Sequence, residues 1–487
     1  MRVSEYYKLD KKQSELDFVD VDIVNDVRLY VDPRAIAQLS GPWADSCASS
    51  IQSFFQRVLD AITDGDNDLA LSLLSNLREP NETHLGLSRG PSKGSGVGNE
   101  LARDFWQALS SSKAVRTGLI QDLEDTALLI EGVDRDRISD ITTNIIRRQL
   151  ISYTQETSEY HGIPLDEGVA SGPLWNSNKG EWHEEYTSLP KPNGAKLILI
   201  PKEIVRRKLH MNSSDYYRHQ VLNFLVAQEY AAGSLVKLVR GRPTVTKKDV
   251  DAKYKEQFGV GRDNPGVEKR INSAVSADNP DILPSYKEQK AANPSRILED
   301  HEIAEAVGGD VSEAENLLAR VIEVEPGSKQ ADLYERRIQD LFTAIFYPHL
   351  VHPKRQHPLH DGRKRLDLTY TNAARHGFFQ WLSMHYPSAN IMIECKNYNR
   401  PIDNPALDQL QGRFSPSRGT VGLLVYRGYT DKEKTWKSCL DTAHDRRGYI
   451  IPLDDDDLKF LVQELSAPTS GEAFGYLHQL FNRLTHN

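Results

Sequence analysis

Apolar and polar residues follow two different periods along this chain, and the changes of period mark its elements. Spacings of three and four predict helices over 49–62, 100–109, 141–154 and 216–230. Shorter apolar runs predict strands at 18–23 and, after a turn at 190–194, at 195–200. Leu29-Tyr30-Val31 leads into Asp32-Pro33-Arg34, a helix start with proline at the first helical position. Residues 81–100 are rich in glycine and read as a loop.

From about residue 241 to 330 the chain turns to Lys, Asp, Asn and Pro, with short amphipathic pieces at 303–307 and 314–322. That pattern predicts a charged helical connector, partly extended. The remainder is patterned more clearly. It reads as helix 333–349, polar loop 353–362, strand 365–370, helix 373–384, strand 391–395, helix 404–414, strand 420–426, helix 431–443, strand 449–452 and a final helix 455–465. Strands alternating with helices imply a mixed sheet covered by helices. The expected organisation is therefore an α+β domain over 1–240, the connector over 241–330, and an α/β domain over 331–487.

At 487 residues the chain is long enough for several domains, and 39% hydrophobic residues suffice for real cores. No apolar run is long enough for a membrane span, and the first residues lack the apolar stretch of a secretory signal. Three scattered cysteines, Cys47, Cys395 and Cys439, fit a reducing cytoplasm better than a disulfide or zinc framework. The net charge of −9 argues against a nucleic-acid binder until it is divided. Residues 331–487 hold 20 Lys+Arg against 18 Asp+Glu, a net of +2, so 1–330 carry −11. Phosphate binding needs a local positive patch, which the C-terminal segment can supply.

Three polar residues of that segment sit where polar residues are awkward. Asp367 lies between Leu366 and Leu368 in a strand, and Glu394 and Lys396 end the apolar strand IMIECKNY. The strand period of two puts Glu394 and Lys396 on one face and Cys395 on the other. Two carboxylates and an ammonium are what phosphodiester hydrolysis requires. Asp367 and Glu394 offer hard oxygens to Mg²⁺, with Mn²⁺ a substitute, and the backbone carbonyl of Cys395 adds another. Lys396 can orient a water and offset charge developing on phosphorus. Glu335, on the preceding helix, can hold a second ion or position the site. A solvated salt bridge on an edge strand is the plainer reading of Glu394 and Lys396.

In these residues the segment 333–465 resembles the PD-(D/E)XK, restriction-endonuclease-like nuclease superfamily, in its Mrr-like branch. The resemblance rests on the helix with Glu335, the strand ending in Leu366-Asp367, the core Glu394-Cys395-Lys396, and the later helix running from Leu407 through Gln409 and Gln411 to Arg413. It implies Asp367 and Glu394 as metal ligands, Lys396 as the catalytic lysine, and Gln409 or Gln411 projecting toward the site. It departs in having Leu366 where the family has proline, and in a long Asp367-to-Glu394 spacing that the helix at 373–384 must fill. The implied activity is metal-dependent DNA cleavage, with prokaryotic defence against phage or foreign DNA as its setting. Cleavage of RNA, or of single-stranded or branched DNA, and a non-catalytic scaffold remain alternatives. Cutting both strands implies a homodimer or higher assembly. No Walker A sequence occurs, so any ATPase, like any separate sensor, would be another subunit.

Other features have weaker claims. Lys354, Arg355, Arg363, Lys364 and Arg365, with Arg413, Arg418 and Arg427, form a candidate DNA-backbone patch. His349, His352, His357 and His360 are too irregularly spaced for zinc and read as surface histidines. GPSKGSGVG at 90–98, with Arg89 and Lys93 for a phosphate, lacks a P-loop ending and reads as a flexible loop. Ser139 or Asp140 reads as a helix cap, with Glu124, Asp125 and Asp140 as a conceivable second acid site. Asp454–Asp457 reads as a cap. Trp175, Trp182, Tyr186 and Trp436 could stack on bases but suit a core equally.

Overall fold

The computed structural model describes the chain apart from residues 87–96, 240–241, 260–265, 360–363, 399–401, 403, 428–431, 446, 467–471 and 487. For 97–101, 239, 355–359, 364–367 and 404 it describes the backbone alone. The glycine loop with Arg89 and Lys93, and also Arg363 and His360, thus lie outside the described residues.

One five-stranded sheet organises the C-terminal third. Its elements are α1 (Ala331–Phe346), β1 (Leu350–Leu359), β2 (Lys364–Asn372), α2 (Gly377–His385), β3 (Asn390–Lys396), α3 (Asn404–Gln411), β4 (Val421–Tyr426), α4 (Lys432–His444), β5 (Tyr449–Leu453), α5 (Asp455–Ser466) and α6 (Gly475–Thr485). The strand order is β5-β4-β3-β2-β1. The pairs β1–β2 and β2–β3 are antiparallel; β3–β4 and β4–β5 are parallel. β4, VGLLVY, is buried at every position, as a parallel strand covered on both faces must be. The apolar stripe of α1 (Tyr334, Ile338, Leu341, Phe342 and Ile345) joins Leu368, Tyr370, Ile391 and Ile393 in one core. α2 fills the long spacing between β2 and β3, as the sequence requires.

Two expectations for this region need correction. Residues 353–359 do not form part of a polar loop; they belong to β1, which among the described residues pairs with β2 alone, and 360–362 lie outside the described residues. An edge strand tolerates the Lys, Arg, His and Pro that made this segment look like a loop. The helix at 455–465 is also not the last. Leu477, Phe481 and Leu484 of α6 close the core beyond it.

In the N-terminal region the helix expected at 49–62 lies within Pro42–Thr63, while that expected at 216–230 is a π turn, Tyr217–Val221, followed by the helix Leu222–Ala231. Phe18, Val19, Val21 and Ile23, and Leu197–Ile200, are buried, but beyond one isolated bridge of Phe18 to Pro201 they form no ladder, because side chains and irregular backbone partners take their hydrogen bonds. Gln13 Nε2 donates to Phe18 O at 2.8 Å, and Leu199 N donates to Thr154 Oγ1 at 2.9 Å. The helix expected at 141–154 is two helices, Arg135–Ile145 and Arg147–His161. The cap is Asp134, which accepts from Arg137 N at 3.0 Å, while Ser139 lies inside the helix and accepts from Val31 N at 2.9 Å.

The segment 241–330 is helical, but it is not an extended tether. Val267–Asp278 and Ile282–Ala292 pack into a core with Phe105 and Leu128. Ile303 and Val307 enter another with Val3 and Phe18. Leu317, Val321 and Val324 belong to the sheet's own core. Arg427 ties that last helix down, donating to Val324 O at 2.6 Å and Ile322 O at 3.1 Å while pairing with Asp455 at 3.1 Å. A fragment 313–487 should therefore be more stable than 331–487, by on the order of 5 kcal/mol for three lost apolar side chains. Thermal melts of the two fragments test this, and equal midpoints would refute it. Among the described residues no helix is long and apolar enough to cross a membrane.

Candidate active site

β3 is the strand at which the sheet changes from antiparallel to parallel pairing. Glu394, near its end, is fully buried. Taking an ionised carboxylate out of water costs several kcal/mol unless other charges compensate it. Here two cations do so. Lys396 Nζ donates to Glu394 Oε1 at 2.6 Å, and Arg413 Nη1 donates to Oε2 at 2.6 Å. Lys396 reaches Glu394 because residues two apart on a strand share a face. The solvated edge-strand salt bridge is thereby excluded: Glu394 is buried in an interior strand.

The backbone of Asp367 belongs to the neighbouring strand. Leu368 pairs with Ile393, and one further step of that antiparallel register brings position 367 level with position 394. The Cys395 backbone is held in the parallel ladder opposite Val425. Glu335 is buried on α1, Gln409 is exposed, and Gln411 donates through Nε2 to Thr442 Oγ1 at 2.5 Å. Lys364 and Arg365 are in β2, described by backbone only.

Arg413 is the residue whose part the sequence reading missed. Expected to grip DNA, it is 1% exposed and its guanidinium holds Glu394. A signal was available: Arg413 continues the buried stripe Ala406–Leu410 at spacings of four and three, so it falls on the covered side of its helix and turn. Arg427 is likewise buried on carbonyl groups and not presented to a ligand.

The oxygens described at this point are the Glu394 carboxylate and the Cys395 carbonyl, with the backbone of position 367 alongside. Both are hard donors, which suits a divalent ion of the Mg²⁺ type. Among the described residues no group of three or more His, Cys, Asp and Glu is gathered closely enough to hold a metal. The Asp367 side chain is not among them.

His349 and His352 are not on the surface as expected; His357 and His360 lie outside the residues whose side chains the structure describes. His352 is buried in an ion pair with Glu203, which holds its pKa above the ordinary value against the opposing effect of burial. His349 packs its ring 4.5 Å from that of His376, and burial, with that neighbour, pulls its pKa down to about 4. A depressed histidine keeps the fold stable above its unfolded value near 6.5 and takes stability away as pH falls toward 4. That loss amounts to about 3 kcal/mol over the window. His349→Gln should flatten the acid side of the stability profile between these limits, measured by urea melts at several pH values. His352 acts in the opposite sense, its contribution fading as pH rises through its raised value.

The remaining candidates resolve into structural roles. Asp125 pairs with Lys287 at 2.7 Å and closes a capping box on Asp122 N. Burial pushes Glu124 up to about 8 and Asp140 well above its ordinary value. Asp454 and Asp457 cap α5 by exchanging bonds with each other's N–H. Trp175 and Trp182 pack on Phe54, Trp436 is in the core, and only Tyr186 of the four aromatics is exposed.

Comparison with known proteins adds one family and one structure. Residues 8–212 match a family described as a domain of unknown function (DUF8370). No curated protein matches the chain. A solved structure of the restriction endonuclease FokI aligns with 81% of this chain and 76% of its own, at 11% identity and a TM-score of 0.24. An overlap that loose carries no weight for mechanism, which rests on the residues themselves.

Proposed function

We propose that the C-terminal domain is a metal-dependent endonuclease acting on DNA, with Asp367, Glu394 and Lys396 as its working residues. The observation that carries this reading is the fully buried Glu394, held by Lys396 and Arg413 at the end of β3 and level with position 367 of β2. A scaffold gains nothing from burying a carboxylate between two cations at a strand end. Mg²⁺ or Mn²⁺ held by Glu394, Asp367 and the Cys395 carbonyl would polarise the scissile phosphate and acidify a water. Lys396, 11% exposed, orients that water and offsets the charge that develops on phosphorus. Arg413 positions Glu394 and does not touch the substrate. α1, which carries Glu335, covers the sheet face opposite Glu394, and Gln411 is held by Thr442, so neither is given a part in the step.

The region before the sheet regulates this activity or directs it to a target. In support, Glu203 and Glu156 pair with His352 and Lys354 of β1. The rings of Trp43 and His352 meet nearly at right angles, their centroids 4.9 Å apart. Cutting both strands calls for two copies of the domain, and defence against foreign DNA is the setting such an arrangement suits. The test is cleavage of supercoiled plasmid, linear duplex, single-stranded DNA and RNA, with Mg²⁺, Mn²⁺ or EDTA. Metal-dependent cutting of DNA is the expected result. Cutting of RNA alone would replace the substrate, and cutting that persists in EDTA would sink the metal mechanism.

A further inference from the structure

A cavity of about 250 Å³ lies where the N-terminal region meets the sheet. Its floor includes Thr369 of β2 and Met392 of β3, which pair across the ladder. Met392 precedes Glu394 by two residues, so this floor is the same sheet face, one step further from the strand end. Its roof is the segment 39–44, which runs into the first turn of the helix Pro42–Thr63. Lys354 and Arg418 stand in its wall.

Independent features of this lining suit an anion attached to a flat ring. The helix has 22 residues, Gly41 is its N-cap, and no side chain caps it. Its first turn holds Pro42, which has no N–H, and Asp45, whose N–H bonds Gly41 O at 3.0 Å, so what the cavity meets is the positive end of the dipole with the backbone of Trp43 and Ala44. Arg418 bonds through Nε to Ser415 Oγ at 3.1 Å, and among the described residues no carboxylate pairs with it. The Thr369 hydroxyl is buried with no hydrogen-bond partner. Trp43 is anchored by its Nε1–H to Gln149 O at 3.2 Å, and with Met392 it offers an apolar surface to a ring.

We propose that this cavity binds a single nucleotide unit. Its phosphate lies at the helix N-terminus and Arg418, and its base lies against Trp43 and Met392. The volume of about 250 Å³ lies just below the usual range of small-molecule sites, roughly 300–1,000 Å³, so the cavity takes no more than one nucleotide and excludes a duplex. The unit is either a free mononucleotide or a nucleotide everted from DNA. Such a ligand touches both the N-terminal region and the strands that carry position 367 and Glu394, and so reports its presence to both. The binding site stands whether or not the chain cuts DNA.

The test is calorimetry on the full-length protein with each ribo- and deoxyribonucleoside monophosphate, and with a duplex carrying one mismatch against its fully paired form. The expected result is one-to-one binding of at least one mononucleotide with a change in tryptophan fluorescence. Arg418→Gln should weaken it roughly 10-fold, and Thr369→Val by roughly three-fold. Lys179→Ala, at an exposed lysine that does not line the cavity, should leave it unchanged. A preference for the mismatched duplex that Arg418→Gln removes, without mononucleotide binding, assigns the everted source. Binding of neither probe up to about 1 mM, or binding that both variants leave unaltered while melting like the wild type, overturns the proposal.

Discussion

Lys396→Ala should lower the rate of metal-dependent cleavage by roughly 10²–10³-fold, the loss typical when one preorganised charge is removed from a developing anion. The substitution deletes the ammonium that contacts Glu394 Oε1 at 2.6 Å. It leaves Arg413 on the other oxygen, so the carboxylate keeps a partner and the fold should survive. Rate and melting temperature must therefore be measured on the same preparation. A slow but folded variant that still binds DNA places Lys396 in the chemistry. A variant that cuts at the wild-type rate would remove it from the mechanism, and one that unfolds would show that its role is to neutralise Glu394. Lys396→Arg separates these outcomes further. It keeps the positive charge for Glu394 but replaces a compact ammonium with a broad, weakly hydrated guanidinium, so stability should return without full activity.

The sheet was legible because its strands and helices are strongly patterned and each period has one physical cause. β4 is apolar throughout because it is covered on both faces, and α1 shows its stripe because Ile338, Leu341, Phe342 and Ile345 join the sheet's core while Gln339, Asp340 and Thr343, buried as well, are polar. The pair Glu394 and Lys396 was legible because strand geometry alone puts them on one face. β1 was not, since an edge strand has no apolar alternation to display when polar side chains serve it equally well. The connector was misread for a related reason. Its helices are short and charged on one side, and composition does not reveal that Leu317 and Val321 complete a core begun by residues 334–370. Residues 18–23 and 195–200 announced burial correctly but not conformation, because Gln13 and Thr154 satisfy backbone groups that a ladder would otherwise take. Long-range side-chain bonds of this kind leave no local pattern.

Arg413→Met should destabilise the protein by about 3 kcal/mol, because removing one partner of a buried ion pair strands the other in a medium that solvates it poorly. The thioether roughly fills the space of the arginine stem, so the lost charge, and not a cavity, dominates the cost. Lys396 remains on Glu394 and keeps the figure toward the lower end of the usual range. The diagnostic measurement is a double-mutant cycle. Glu394→Gln alone leaves two cations facing a neutral amide, whereas Glu394→Gln combined with Arg413→Met removes both ends of the pair. The double variant should be less destabilised than the sum of the two singles, with a coupling of about 1–3 kcal/mol. The competing role, a phosphate contact to DNA, makes a different prediction. Losing such a contact leaves the melt unchanged and lowers the slope of log affinity against log salt by about one. Burial decides which to expect: a guanidinium 1% exposed and 2.6 Å from a carboxylate oxygen has no face left for a phosphate. The sequence reading placed Arg413 with the DNA contacts because it is a cation near a nuclease site. The fold spends that cation on holding the buried Glu394 carboxylate near the end of its strand.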